Sequence, residues 1–117
     1  MAFKFESLKV WQHALDLSES IDKLVKTFPK VEIYVLAQQI KRASDSVCLN
    51  IAEGSTGQTN KEFKRFLGYS IRSAIEVVAC LHVGKRRNII KEEDFTTIYN
   101  HIELLVKMLQ SLRKSIN

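Results

Sequence analysis

Apolar residues recur along this chain at alternating three- and four-residue steps, the spacing that lines one face of an α-helix. Val10, Ala14, Leu17, Ile21, Leu24 and Phe28 make the first stripe, widened by Trp11 and Val25. It predicts a helix over residues 7–27, stopped by Pro29, whose ring disfavours the helical conformation in the residue before it. Leu36, Ile40, Ala43, Val47 and Ile51 predict a second helix over 34–53. Gly54-Ser55-Thr56-Gly57 breaks it, with Gly54 expected in a left-handed C-terminal cap. Phe63, Leu67, Ala74, Val78 and Leu81, with Phe66, Ile71 and Val77 beside them, predict a third helix over 60–83. A capping box of Thr59 and Glu62 opens it and Gly84 is expected to close it. The fourth helix, 91–115, carries Phe95, Ile98, Ile102, Leu105, Leu109, Leu112 and Ile116. Glu92, Glu93 and Asp94 fall in its first turn and Arg113 and Lys114 in its last, the distribution that the helix dipole favours.

Short connections between four such helices predict one all-α domain over 1–117, an up-down-up-down antiparallel four-helix bundle. A repeat near 3.5 residues implies left-handed packing. One Pro and four Gly leave little of the chain for loops or hairpins.

Helix 2 departs from a simple amphipathic pattern. Where its water-facing charges should stand, the chain has Ala37, Ser44, Cys48 and Ala52, with Lys41 the only charge. Arg42, Ser46, Asn50 and Glu53 gather on one flank at about 100° per residue. This pattern predicts a helix hidden twice, once in its own core and once against a second copy. Ala37, Lys41, Arg42, Ser46, Asn50, Glu53 and Gly54 are therefore candidate interface or motif residues. The competing reading is a solvated face of small residues.

Charge adds a second theme. The net charge of +5 and pI near 9.3 favour an acidic partner such as nucleic acid, against the alternative of surplus surface lysines. Lys61, Lys64, Arg65 and Arg72 sit on helix 3 away from the core, and the turn Lys85-Arg86-Arg87 lies at its far end. They are candidates for following a phosphate backbone, and a solvated face is the alternative. No exposed aromatic pair is expected to interleave with them for base stacking.

Catalytic patterns are missing. None of His13, His82 and His101 follows a Glu by three residues, so the di-iron Glu-x-x-His pair is absent. The histidines and Cys48 and Cys80 have no zinc spacing. There is no Gly-x-Ser-x-Gly elbow, and the 54–57 loop lacks the Lys-Ser/Thr of a P-loop. Cys80 and His82, two apart on a helix, point in different directions. No catalytic, cofactor or metal residue is assigned, and a non-enzymatic protein is expected. Two buried free thiols suit a reducing compartment. The opening Ala2-Phe3-Lys4-Phe5-Glu6 lacks a signal-peptide run, and no apolar stretch is expected to be long enough to cross a bilayer. These features predict a cytoplasmic protein without a membrane partner.

Three longer blocks carry a resemblance. Leu36-Ala37-Gln38-Gln39-Ile40-Lys41-Arg42-Ala43 is followed by Ser46-Val47-Cys48-Leu49-Asn50-Ile51-Ala52-Glu53-Gly54 and by Lys61-Glu62-Phe63-Lys64-Arg65-Phe66-Leu67. With Leu8-Lys9-Val10-Trp11-Gln12, Phe28-Pro29 and Glu32-Ile33-Tyr34, the chain resembles the four-helix bundle family of 23S ribosomal RNA intervening-sequence proteins. It is also similar to the accessory variability proteins of diversity-generating retroelements. The resemblance implies a ring-forming bundle, a homopentamer, that binds RNA or DNA and can act beside a nucleic-acid enzyme. It further implies roles for the Arg42, Asn50 and Glu53 row. Asn50 is expected to bridge the helix end to the loop, and Glu53 to pair with Arg42 or Arg65 of its own or a neighbouring subunit. The chain departs from the family pattern at Val35, Lys41, Cys48, Gly57 and Val78, where Gly, Arg, Pro, Arg and an acid are frequent.

Overall fold

A computed structural model describes residues 2–57 and 59–117. Four α-helices form, α1 (Lys9–Val25), α2 (Gln38–Ser55), α3 (Asn60–Arg86) and α4 (Glu92–Ser115). A 3-10 turn over Lys4–Ser7 precedes α1. A second, Lys30–Glu32, and a π turn, Ile33–Ala37, bring the chain into α2. Among the described residues there is no strand.

Cross-helix pairs set the arrangement. Ser18 meets Asp45 and Asp22 meets Lys41 between α1 and α2. Ser70 on α3 donates to the Val47 carbonyl of α2 at 2.8 Å, while Leu36 at the entry to α2 lies against Gly84 near the end of α3. Lys64 pairs with Arg113 and Lys85 with Glu92 between α3 and α4, and His13 faces His101 between α1 and α4. In the first three pairs of neighbours, numbering rises along one helix as it falls along the other. The result is a bundle 44 Å long and 22 Å across.

The predicted stripes form the core. Val10, Ala14, Leu17, Ile21, Leu24 and Phe28 are all buried, as are Leu36, Ile40, Ala43, Val47 and Ile51. On α4, Phe95, Ile98, Ile102, Leu105 and Leu109 are buried, with Leu112 and Ile116 packed at the edge.

Two glycine assignments are corrected. Gly54 is an interior residue of α2 with ordinary backbone angles, and α2 continues to Ser55. A Cβ there would stand 2.5 Å from Phe66 Cβ, so its absence is what lets α3 approach. Gly84 likewise lies inside α3, which runs on to Arg86, and a Cβ there would meet Ile90 Cδ1 at 2.4 Å. The left-handed residue of that turn is Asn88, with φ of 60°, a conformation that Asn tolerates better than most side chains. Half of the predicted capping box forms. Thr59 Oγ1 accepts from the Glu62 amide at 3.1 Å, whereas the Glu62 carboxylate turns to Arg65 at 2.9 Å.

The apolar content of α3 exceeds the expectation that no stretch is long enough to cross a bilayer. An 18-residue window of α3 has a mean hydropathy of 1.3, long and apolar enough by composition to cross a bilayer. A third of that window is buried here (33%). Packing against α2 and α4 accounts for its buried residues, while Tyr69, Ile75 and Val83 of the same helix stay exposed in the protomer.

Candidate nucleic-acid interface

The N-terminal turns of α3 and the last turns of α4 meet at one end of the bundle because the two helices run in opposite directions. Lys61, Lys64 and Arg65 come from α3, and Arg113 from α4. With Thr59, Glu62 and Asn117 they line an open groove of about 740 Å³. A smaller recess of about 420 Å³ continues it over Lys64, Gln110, Arg113 and Lys114. Arg113 is held by its Nε, which donates to the Lys64 carbonyl at 3.0 Å. The one acid of the groove, Glu62, is already engaged by Arg65 Nη2 at 2.9 Å. Among the described residues Lys61, Lys64, Arg113 and Lys114 have no ion-pair partner. Four unpaired cations therefore converge beside the amide groups of a helix N-terminus, an arrangement that attracts anions.

At the other end of α3, Lys85, Arg86 and Arg87 line a second open surface of about 710 Å³ with His82 and Val83. Lys85 Nζ sits 2.8 Å from Glu92 and 4.4 Å from the Phe95 ring centroid. Arg87 stands 3.7 Å from Glu32, whose Oε1 is buried without a hydrogen bond. Arg86 is exposed and, among the described residues, unpaired. Arg72 is exposed on α3 but lines neither groove. Thus six of the seven predicted basic residues fall into two clusters, one at each end of α3. Arg113 and Lys114, read from sequence only as complements of the α4 dipole, complete the first cluster. The signal that could have found them is topological, because antiparallel neighbours put the end of α4 beside the start of α3.

The small-residue strip of α2 requires a correction. Ala37, Ser44 and Cys48 are buried inside their own protomer at 4%, 1% and 6% exposure. Packed between α1 and α3, α2 covers a wider arc than its apolar stripe suggests, and that intramolecular burial explains the missing charges. Gly54 is internal for the same reason. Lys41 is exposed and pairs with Asp22 at 3.3 Å. The flank row stays accessible. Arg42 and Glu53 are exposed, and Ser46 and Asn50 are half-buried. Asn50 does not bridge to the loop, because its Nδ2 donates to the Ser46 carbonyl at 2.8 Å. Within the protomer Glu53 pairs with neither arginine, and Arg65 is committed to Glu62. Beside this row stand exposed apolar side chains, Val35 and Leu49 at 58% each, with Tyr69 and Val83 exposed on α3.

Other chemistry has little support in the geometry. Burial pushes both thiols above their usual range, with the Asp45 charge adding at Cys48 and Glu76 at Cys80. Neither is primed as a thiolate nucleophile. Cys80 is buried while His82 is exposed, its ring edge-on to Phe95 at 4.9 Å. Among the described residues no three His, Cys, Asp or Glu side chains gather as metal ligands.

A family model for 23S rRNA-intervening sequence proteins matches residues 6–111. The chain belongs to that family. Its fold is shared with a crystal structure of a protein of unknown function from the S23 ribosomal protein family of Bacteroides thetaiotaomicron VPI-5482. The two are 25% identical, with a TM-score of 0.82 over 90% of this chain and 98% of the other. No curated protein matches the chain. The stretch matched by the intervening-sequence protein family takes in all of the first three helices and most of α4, ending just before Arg113 and Lys114.

Proposed function

We propose that this intervening-sequence protein is a non-enzymatic homo-oligomer that binds RNA or DNA through the basic ends of α3. The groove of Lys61, Lys64, Arg65 and Arg113 carries the reading. It holds four cations against one acid already paired, on a protein of net charge +5. Such a surface recognises phosphates without reading base edges, so binding is independent of sequence and steeply sensitive to salt. Retention of an RNA at about 50 mM salt that is lost by about 200 mM is the expected result. Absence of retention at the lower salt removes the proposal.

Assembly is the second half of the reading. The α2–α3 flank combines Val35, Leu49, Tyr69 and Val83 with Arg42, Ser46, Asn50 and Glu53, an apolar surface with a polar row beside it. A ring of five copies, implied by the resemblance, would repeat the basic groove and multiply weak phosphate contacts. Mass measurement in solution tests it, and a monomer at micromolar concentration contradicts it. The same flank favours one alternative, a purely structural or protein-binding oligomer whose charge is incidental. Salt-insensitive assembly with no nucleic-acid retention selects that alternative. Free thiols suit a cytoplasmic setting for either role.

A further inference from the structure

Arg86 shares one side of α3 with Lys61, Lys64 and Arg65, while Lys85 turns toward Glu92 of α4. From Lys64 to Arg86 the helix advances about 33 Å, at 1.5 Å per residue. At 100° per residue, Lys61, Lys64 and Arg65 all lie within about 60° of Arg86 around the axis. Between the clusters the same side carries Gly68, Arg72, Ile75 and Ala79, and no acid. From Arg72 to Arg86 it holds no Lys or Arg, a gap of about 21 Å. The basic surface is therefore two anchors with a nearly neutral span, rather than a continuous track.

Aromatic groups decide between ligand types. Proteins that follow single strands pair a continuous basic groove with rings on which bases stack. Tyr99 is already stacked on Phe95, with ring centroids 5.6 Å apart, and is half-buried. Tyr69 packs edge-on against Phe66 at 5.4 Å and lines neither basic groove. Among the described residues, no Phe, Tyr or Trp of α3 falls on that side between the anchors. Their separation instead matches one turn of a B-form duplex, about 34–36 Å, after which phosphates return to the same face.

We propose that α3 lies along a nucleic-acid duplex, with Lys61, Lys64, Arg65 and Arg113 on phosphates at one end and Arg86 and Arg87 on phosphates one turn away. This rests on the nucleic-acid role proposed for the same residues, and adds that the ligand is double-stranded. A duplex of about 7 base pairs, near 24 Å, reaches one anchor only, and one of about 14 base pairs reaches both. Fluorescence anisotropy at low salt with the intact protein would compare these two lengths, as DNA and as RNA, with single strands of equal length.

The 14-base-pair duplex is expected to bind at least tenfold more tightly than the 7-base-pair one and than either single strand. Arg86→Ala/Arg87→Ala should abolish that length step, leaving the 14-base-pair duplex bound no more tightly than the 7-base-pair one. Circular dichroism and particle mass of the variant, unchanged from the parent, would exclude a folding or assembly defect. A length step in either DNA or RNA supports the inference and identifies the duplex used. Equal or tighter binding of single strands, or no length step in either, overturns it while leaving the broader role intact. Failure to bind any of these probes would overturn both.

Discussion

Arg113, in the last turn of α4, donates through Nε to the main-chain carbonyl of Lys64 at 3.0 Å. The bond ties the end of α4 to the start of α3 and leaves the guanidinium at the edge of the basic groove. One side chain thereby both fastens two helices and adds a charge to the candidate site.

Arg113→Met separates those two contributions. Loss of one phosphate contact should lower the slope of log affinity against log salt by about 1, with the weakening similar for all sequences. Titrations of one RNA at several salt concentrations measure it. The exposed hydrogen bond contributes about 1 kcal/mol at most, so the thermal transition should move only slightly.

Two glycines of the same bundle should respond in opposite directions. Gly54→Ala places a methyl 2.5 Å from Phe66 Cβ, an atom that cannot swing away. The strain, about 1–3 kcal/mol, exceeds the gain of up to about 1 kcal/mol from removing a helical glycine. Gly68→Ala meets nothing closer than the Arg113 guanidinium, at 3.6 Å. It should stabilise α3 by about 0.5–1 kcal/mol. Urea denaturation of both variants gives the two signs.

Leu49→Lys tests the proposed assembly face. The side chain is 58% exposed in the protomer, so a charge there should leave monomer folding within about 0.5 kcal/mol of the parent. Buried against a copy, the same charge should drive the oligomer apart. Light scattering beside circular dichroism reads both, and an intact oligomer would place the interface elsewhere. Glu53→Ala, which breaks no ion pair within the protomer, should likewise shift the oligomer without unfolding the chain.

His101 gives a pH dependence. Burial holds its pKa below the usual 6.5, helped by the charge of His13 on α1 and opposed by Asp16. The two imidazole centroids are 5.9 Å apart. A depressed imidazole pKa means that the unfolded chain takes up the proton first. Stability is therefore full above about pH 6.5 and declines as pH falls through the lower folded value. Thermal melts between pH 7 and pH 5 should show this decline, and His101→Gln should flatten it.

Much of the bundle was legible because its core obeys helical spacing. The apolar stripes of α1, α2 and α4 are buried as expected up to Leu109, with Leu112 and Ile116 only partly covered, and the charged ends of α4 lie where the dipole favours them. What escaped was information held between helices. Ser70 is fully buried, yet it looks like an interruption of an apolar face until Val47 offers it a carbonyl 23 residues away. Gly54 and Gly84 read as helix ends in the sequence because the letter is the same whether a glycine frees the backbone or makes room for a neighbour. Asn88 takes the left-handed conformation instead. The candidate site was half legible. Lys61, Lys64 and Arg65 are close in sequence, whereas Arg113 joins them only through the packing of α4.

Glycine at both ends of the α2–α3 seam has an implication for how this surface can evolve. Phe66 closes on Gly54 at one end, and Ile90 and Leu36 close on Gly84 at the other. The two helices are thus pinned closest at Gly54, while at Gly84 the nearest atoms are the flexible end of Ile90 from the α3–α4 connection and Leu36 stands at 3.4 Å. Side chains on the outer flank ride on a rigid ruler and can be exchanged to suit a new partner without resetting the distance between the helices. Any side chain at Gly54 would push α3 away from α2, so adaptation of this surface must proceed around that glycine rather than through it.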